Sequence, residues 1–554
     1  MKHLIFGLAA VLPFFGLASC TTTNKAIQND TAPAAGTANT TETVTLINDW
    51  FHKDPLSSPY YGISTKQAYN NFLADKQPKK SVIVAIIDSG TDIEHEDLAA
   101  NIWVNEDEIP DNGKDDDDNG YIDDLHGWNF IGGPNGQHVE KDTYVLTRMY
   151  SSLSRKYGSK GPSDIAPEYK KEYEKYLEIK SRFERRVKRN KEQIRELSDI
   201  VKAIDVSKQI LGISCIDSAS TEELKVDPND QMIIKQAKQI FQLLKQDGVT
   251  ETTVSDTQKY LEHLIRKRDY GLNPNFNPRK TIGDNYEDFN DRFYGNNDVK
   301  GPASEHGTHV AGIIGAVRNN GLGMDGISAH AKLMIIRTVP DGDERDKDVA
   351  NAIRYAVENG ADIINMSFGK EYSPHKVYVD EAIRLADRSG VLMVSGAGNN
   401  GESIEDKNNY PSRYYADGNK ANNYLMVGAS SWKPDSALAA SFSNYGQTKV
   451  DLFAPGVDIY STYPNHTYKM ENGTSMAAPV VAGVAALIMT YYPELQTSEV
   501  KQILLDSSIK VDQEVNKPGS TQSLSFERLS ASGGIVNALQ ALKLAESTIN
   551  NGVN

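Results

Sequence analysis

Three short segments bring an acid, an imidazole and a hydroxyl into one chain. Residues 87–90 read Ile-Asp-Ser-Gly, residues 306–312 His-Gly-Thr-His-Val-Ala-Gly, and residues 473–479 Gly-Thr-Ser-Met-Ala-Ala-Pro. A free serine hydroxyl is a weak nucleophile at neutral pH, so Ser475 needs a base within hydrogen-bond reach. His306 suits that role, because imidazole titrates near neutrality and can take a proton and return it. Asp88 would hold the ring's tautomer and stabilise the imidazolium. His309, three residues on, is expected to pack within the same helix rather than act as the base. Small residues after each reactive group let backbone and ligand approach closely.

A second set of residues is suited to a hard cation. Asp115, Asp117 and Asn119 alternate ahead of Gly120, and Tyr121, Asp123 and Asp124 follow. Oxygen donors at alternate positions around a glycine turn suit Ca²⁺. A glutamate at the twelfth position, which a full EF-hand loop needs, is replaced by His126. The candidate ligands are Asp115, Asp117, Asn119, Tyr121 and Asp124. So many acids in one short run would repel each other without a counter-ion.

These groups need a scaffold, and its pattern is regular. Residues 81–88 form a continuous apolar run of strand length that ends at the acid, as expected for a strand buried on both faces. After His306, helical stretches at 308–317, 346–359 and 373–389 alternate with apolar strands at 331–338, 361–367, 391–395, 424–428 and 450–453. Strands separated by such helices imply right-handed crossovers and a parallel sheet covered on both faces, a doubly wound α/β fold. Residues 140–290 have a different texture, rich in Lys, Glu, Arg and Gln. There Phe183, Val187, Ile194, Leu197, Val201 and Ile204 make a near-heptad seam interrupted by Asn190, with further helices at 231–245 and 255–266. A helical insertion packed as a hairpin or small bundle is expected, the alternative being a long coiled-coil arm that dimerises.

Taken together, the three reactive segments resemble the signature blocks of the subtilisin-like serine peptidases, the subtilases. The chain order Asp, His, Ser is that of subtilisin and differs from the orders in chymotrypsin and the α/β-hydrolases. The resemblance covers about residues 50–130 and 300–545 and includes Gly533-Gly534-Ile535-Val536-Asn537-Ala538 near the end. It implies a serine endopeptidase that cleaves protein or peptide substrates through an acyl-enzyme, with no organic cofactor. It also assigns Asn399 as side-chain donor to the oxyanion, beside the backbone N–H of Ser475. Ser367, Phe368 and Gly369, with Gly398, become the walls that bind the extended substrate, as in β-augmentation. A second structural calcium site is implied at Asp97 and the loop 318–324, with Asn320 as a ligand. Lys370 stands where the family usually has glycine, and Asn400 takes a pocket position that is often acidic or polar; the pattern leans toward bulky apolar residues before the cut. The acid and base lie 218 residues apart, far more than relatives without insertions need.

The remaining sequence gives an address. Leu4 to Leu17 is an apolar run too short to span a bilayer, which takes roughly 20 residues, so it is expected to be exported and cleaved. Leu17-Ala18-Ser19-Cys20 resembles the lipobox of bacterial lipoproteins and implies a lipid on Cys20. The expected organisation is a signal peptide at 1–19, a Thr-, Asn- and Ala-rich tether at 20–48, a peptidase domain at 49–139 and 291–548, and the insertion at 140–290. No later uncharged apolar run is expected to add a second anchor. Thr21 is not acidic, which favours the outer membrane of a bacterial cell envelope. So short a lead-in also suggests folding without an N-terminal propeptide. Cys20 and Cys215 are the only cysteines, so with Cys20 acylated there is no disulfide framework. Cys215 then fits a packing role. A formal net charge of −16 argues against nucleic acid as a partner. Oligomeric state is not legible.

Overall fold

The computed structural model describes residues 46–552; the signal segment, Cys20 and most of the tether lie outside them. The strands are β1 (Val82–Asp88), β2 (Gly127–Asn129), β3 (Ala331–Arg337), β4 (Ile363–Met366), β5 (Leu392–Gly396), β6 (Tyr424–Ser430) and β7 (Leu452–Pro455). The hairpin β8 (Ile459–Tyr463) and β9 (Thr467–Glu471) follows, then β10 (Ile509–Lys510), the small pair β11 (Glu514–Asn516) and β12 (Ser523–Ser525), and β13 (Gly534–Ile535). Nine of them form one sheet in the order β10-β13-β7-β6-β5-β4-β1-β3-β2, parallel except where β10 meets β13. The expected doubly wound parallel sheet is therefore present. Period-two alternation explains the unbroken apolar run of β1. Val84 and Ile86 enter one core while Ala85 and Ile87 enter the other.

The chain divides into two compact units, residues 150–274 and residues 44–149 with 275–554. Four helices belong to the region between acid and base: α1 (Val145–Tyr157), α2 (Lys170–Leu211), α3 (Met232–Gln246) and α4 (Glu251–Arg266). On α2, Phe183, Asn190, Leu197 and Ile204 recur at every seventh position and are all buried. Leu197, Ile200 and Ile204 share a core with Phe241, Leu244, Val254 and Leu264 of α3 and α4. Asn190, the polar break in that seam, donates from Nδ2 to the carbonyl of Leu264 at 3.1 Å, which satisfies the buried amide. Cys215 is half-buried and free.

The unit at 150–274 is narrower than the expected insertion at 140–290, because the flanks at 140–149 and 275–290 belong to the larger unit, within which charge pairs hold them. Arg345 donates to both oxygens of Asp142, at 2.6 and 3.0 Å. Arg279 forks onto Asp284 and Asp348, and Lys347 also reaches Asp284.

Helices cover both sheet faces. On one side lie α5 (Glu305–Gly315), then α8 (Thr474–Tyr491), α9 (Thr497–Asp506) and α10 (Ala538–Gly552); on the other lie α6 (Asp346–Glu358) and α7 (Lys376–Arg388). The expectation of no later apolar run is corrected at α8, whose 18 residues are apolar enough to cross a membrane but are 94% buried within the fold. It is the central core helix, and each Val, Leu or Ile it buries contributes about 1.5–3 kcal/mol.

Candidate active site

The reactive residues sit where a doubly wound sheet opens, outside the carboxyl ends of its strands. Asp88 is the last residue of β1 and is nearly fully buried. His306 is the second residue of α5, and Ser475 the second of α8. Helix α5 starts three residues earlier than the sequence pattern suggests, so the imidazole lies in its first turn. Its approach to β1 depends on Gly307, since a Cβ there would come within 2.1 Å of the carbonyl oxygen of Gly90. Only glycine allows this contact, and it brings His306 Nδ1 to 2.8 Å from Asp88 Oδ1. The same oxygen accepts from the N–H of Ser89 at 2.7 Å.

Desolvation beside the cleft works against protonating His306, but attraction to the Asp88 carboxylate and their hydrogen bond more than offset it. With a smaller contribution from Glu471, the imidazole pKa is raised above its ordinary 6.5. His309 differs. Burial drives its pKa down to about 3, and Nε2 lies 3.0 Å from the carbonyl oxygens of Ile459 and Lys469. It anchors α5 to the β8–β9 hairpin.

Ser475 and Ser367 hold each other. Ser475 Oγ donates to the Ser367 carbonyl at 3.0 Å, and Ser367 Oγ donates to the Ser475 carbonyl at 2.8 Å. In this state the Ser475 hydroxyl is bonded to the end of β4 rather than to His306. Rotation about its Cα–Cβ bond would release it, and such looseness is common before substrate binds.

Asn399 follows Gly398, whose φ of +99° turns the chain just beyond β5. Its carboxamide oxygen accepts from Thr474 N at 2.9 Å and Thr474 Oγ1 at 3.0 Å. The side chain is thus fixed by its oxygen, and Nδ2 has no acceptor among the described residues. Ser475 N, in the first turn of α8, belongs to the N–H groups a helix leaves unpaired. The point where a Cβ on Gly473 would stand is 3.4 Å from Ser475 N and 3.5 Å from Asn399 Nδ2. Gly473 leaves open the space that both donors face, and that space can hold a developing oxyanion.

The acidic loop has partners its motif did not reveal. Ligand oxygens of Glu108, Asp115 and Asp117 lie within 4.8 Å of one another. Glu108 is buried, with Oε1 taking the N–H of Asp116 at 2.9 Å and Oε2 buried without a partner. Burial raises its pKa, and nearby Asp124 and Asp117 add to this. A buried carboxylate with one unpartnered oxygen, grouped with two more carboxylates, fits a divalent cation. The loop's expected side-chain ligands also hydrogen-bond within the protein: Asp115 takes the N–H groups of Asn119 and Gly120, Asp117 accepts from Asn105 and Asn119, Asn119 Oδ1 takes the N–H of Tyr121 at 2.8 Å, and Asp124 accepts from Asn105, Asn119 and Tyr355. The Tyr121 ring is buried among Trp128, Phe130 and Tyr355. Asp97 accepts from Asn320 Nδ2 at 2.7 Å and, more weakly, from Met324 N and Tyr468 Oη. Burial raises the Asp97 pKa despite those donors.

The family model described as the Subtilase family matches residues 79–526. This chain belongs to the subtilase family. Subtilisin DY of Bacillus licheniformis is 38% identical over 201 residues, 36% of this chain and 68% of that protein. The major intracellular serine protease of Bacillus subtilis (strain 168) is 37% identical over 236 residues, 41% of this chain and 69% of that protein. Among solved structures, the protease domain of PatA is 28% identical, with a TM-score of 0.36 over 44% of this chain and 82% of that one. This subtilase is accordingly a subtilisin-like serine endopeptidase that acts on protein or peptide substrates.

Proposed function

We propose that this subtilase is a membrane-anchored endopeptidase working through Asp88, His306 and Ser475 and a covalent acyl-enzyme. The supporting observation is the 2.8 Å contact of Asp88 with His306 beside a helix-terminal serine whose N–H and Asn399 Nδ2 face one open space. Ser475 Oγ attacks the scissile carbonyl carbon while His306 takes its proton. The carbonyl oxygen gathers charge between Ser475 N and Asn399 Nδ2. The C–N bond then breaks, His306 gives the proton to the leaving amine, and water repeats the sequence to free Ser475. Asp88 fixes the tautomer and stabilises the imidazolium. Substrate backbone pairs along Ser367, Phe368 and Gly369, with Gly398 opposite.

A fluorophosphonate probe tests the reading. Labelling of the wild type but not of Ser475→Ala is expected. Persistent labelling of the variant, or a folded wild type that neither labels nor cleaves any peptide, would overturn it.

Structural Ca²⁺ belongs to the same proposal, held by Glu108, Asp115 and Asp117, with Asn119, Tyr121 and Asp124 shaping the loop. It would neutralise charge there. Asp97 and Asn320 form a second candidate site. The lipid on Cys20 would hold the enzyme at the bacterial envelope, on the outer membrane. Incorporation of labelled palmitate that survives Cys20→Ser would remove that anchor.

A further inference from the structure

β4 and β5 are neighbours in register, with Met366 beside Ser395. Beyond that pair their chains separate. Residues 367–370 run on to meet Tyr410, with two mutual backbone bonds of 2.9 Å between Lys370 and Tyr410, while residues 396–399 turn toward Thr474. The gap between the two strand ends opens beside Ser475, which is bonded to Ser367. An acyl group with its carbonyl oxygen between Ser475 N and Asn399 Nδ2 has this gap as the room for the side chain that precedes the cut. The wall at 367–370 has a glycine there, Gly369, whose missing side chain by itself would leave a deep slot, with the Gly396 carbonyl oxygen across from it.

Asn409 occupies that slot. Its Oδ1 lies 2.8 Å and its Nδ2 3.1 Å from where a Cβ on Gly369 would stand, and Nδ2 is 3.5 Å from the Gly396 carbonyl oxygen. The backbone pairing of the adjacent Tyr410 with Lys370 holds the crossbar in place. The Lys370 side chain turns away from this slot to Glu344 and Asp346, with Nζ 2.8 Å from the Glu344 carbonyl oxygen and 2.7 Å from Asp346 Oδ1. Its unusual size therefore does not fill the slot.

We propose that Asn409 sets substrate selectivity, flooring the slot with a carboxamide so that the enzyme cuts after short side chains such as Ala, Ser and Gly and rejects aromatic ones. This rests on the peptidase reading above and replaces the leaning toward bulky apolar residues. The physical reason is volume. A closely packed pocket discriminates by roughly 10- to 200-fold per methylene-sized misfit.

The test profiles wild-type cleavage of a complex peptide mixture, then compares kcat/KM for a matched pair of fluorogenic peptides with Ala or Phe before the cut. Wild type is expected to favour Ala. Asn409→Gly should shift the Phe-to-Ala ratio toward Phe by about tenfold or more, with Asn409→Ser between. A wild type that cuts chiefly after Phe, Tyr or Leu would overturn the proposal. So would folded Asn409→Gly and Asn409→Ser variants whose ratios stay within about twofold of wild type. If Asn409→Gly does not fold, Asn409→Ser and the wild-type profile decide. Failure of the peptidase reading is separate, since the wild type would then neither cleave nor take the fluorophosphonate.

Discussion

Gly473→Ala adds one methyl group to the space that Ser475 N and Asn399 Nδ2 both face. The backbone at this position has φ 162° and ψ 159°, extended geometry that alanine adopts without strain. The nearest atoms to the new carbon would be Ser475 N at 3.4 Å, Asn399 Nδ2 at 3.5 Å and Met476 Sδ at 3.6 Å, all ordinary contacts. Stability should therefore change little, within about 0.5 kcal/mol. Catalysis should not survive intact. An oxyanion needs donors about 2.7–3.1 Å away, and a methyl carbon in the same space keeps it from both. Removing one such donor in subtilisin costs about 100- to 1,000-fold in kcat, or roughly 2.7–4 kcal/mol, and obstructing two should reach at least the lower end of that range. The assay is steady-state hydrolysis of a peptide substrate alongside a thermal melt. A kcat loss of about 100-fold or more with an unchanged melt is expected. A variant that melts like wild type and keeps kcat within about threefold would show that the charge develops somewhere else.

The pH profile should follow His306. Only the neutral ring can accept the Ser475 proton, so kcat/KM should fall as pH drops through a pKa above 6.5, as measured in a pH–rate series. Stability runs the other way: a raised imidazole pKa contributes stability that is full below the unfolded value and lost as pH rises through the folded one, so the wild type minus Asp88→Asn difference in melting temperature should shrink across that window. Chelation should lower the melting temperature, Ca²⁺ should restore it, and Glu108→Gln should weaken the restoration, read by differential scanning calorimetry. Arg279→Met leaves Asp348 and Asp284 buried with fewer partners and should cost about 3–5 kcal/mol by denaturant titration, without altering the pH profile.

The approach of Asp88 and His306 was readable from sequence because each residue had a local signature. The sheet was readable because a strand buried on both faces leaves an unbroken apolar run, as in β1. What stayed hidden depended on contacts across long sequence distances. Glu108 stands seven residues before Asp115, outside the alternating pattern, and only the fold shows that it is buried with an unpaired oxygen and grouped with Asp115 and Asp117. Asn409 sits in a polar loop with nothing local to mark it, and it matters only because Gly369 on a distant strand leaves a slot that it fills, across from the Gly396 carbonyl. Composition misled at α8, where an apolar stretch of membrane-spanning length is a core helix.

The run Glu344-Arg345-Asp346-Lys347-Asp348 shows why the large interruption between acid and base need not disturb the cleft. By sequence it is an ordinary charged helix start, yet all five residues are buried. Charges along it divide between two tasks. Glu344 and Asp346 flank the Nζ of Lys370, next to the substrate wall, at 3.7 and 2.7 Å. Arg345 holds Asp142, just before the inserted unit, while Lys347 and Asp348 hold Asp284 and Arg279, just after it. Both ends of the interruption are thereby fixed to the start of one core helix. Loop closure grows only slowly in cost with length, so once the ends are pinned the size of what lies between them adds little. Buried ions are costly unless fully paired. Here Arg345, Lys347 and Asp348 are closely paired, whereas Glu344, 3.7 Å from Lys370 and raised to a pKa of about 7 by burial, is the weakest member, and the residues that secure the flanks of the insertion are neighbours of those that hold the cleft wall.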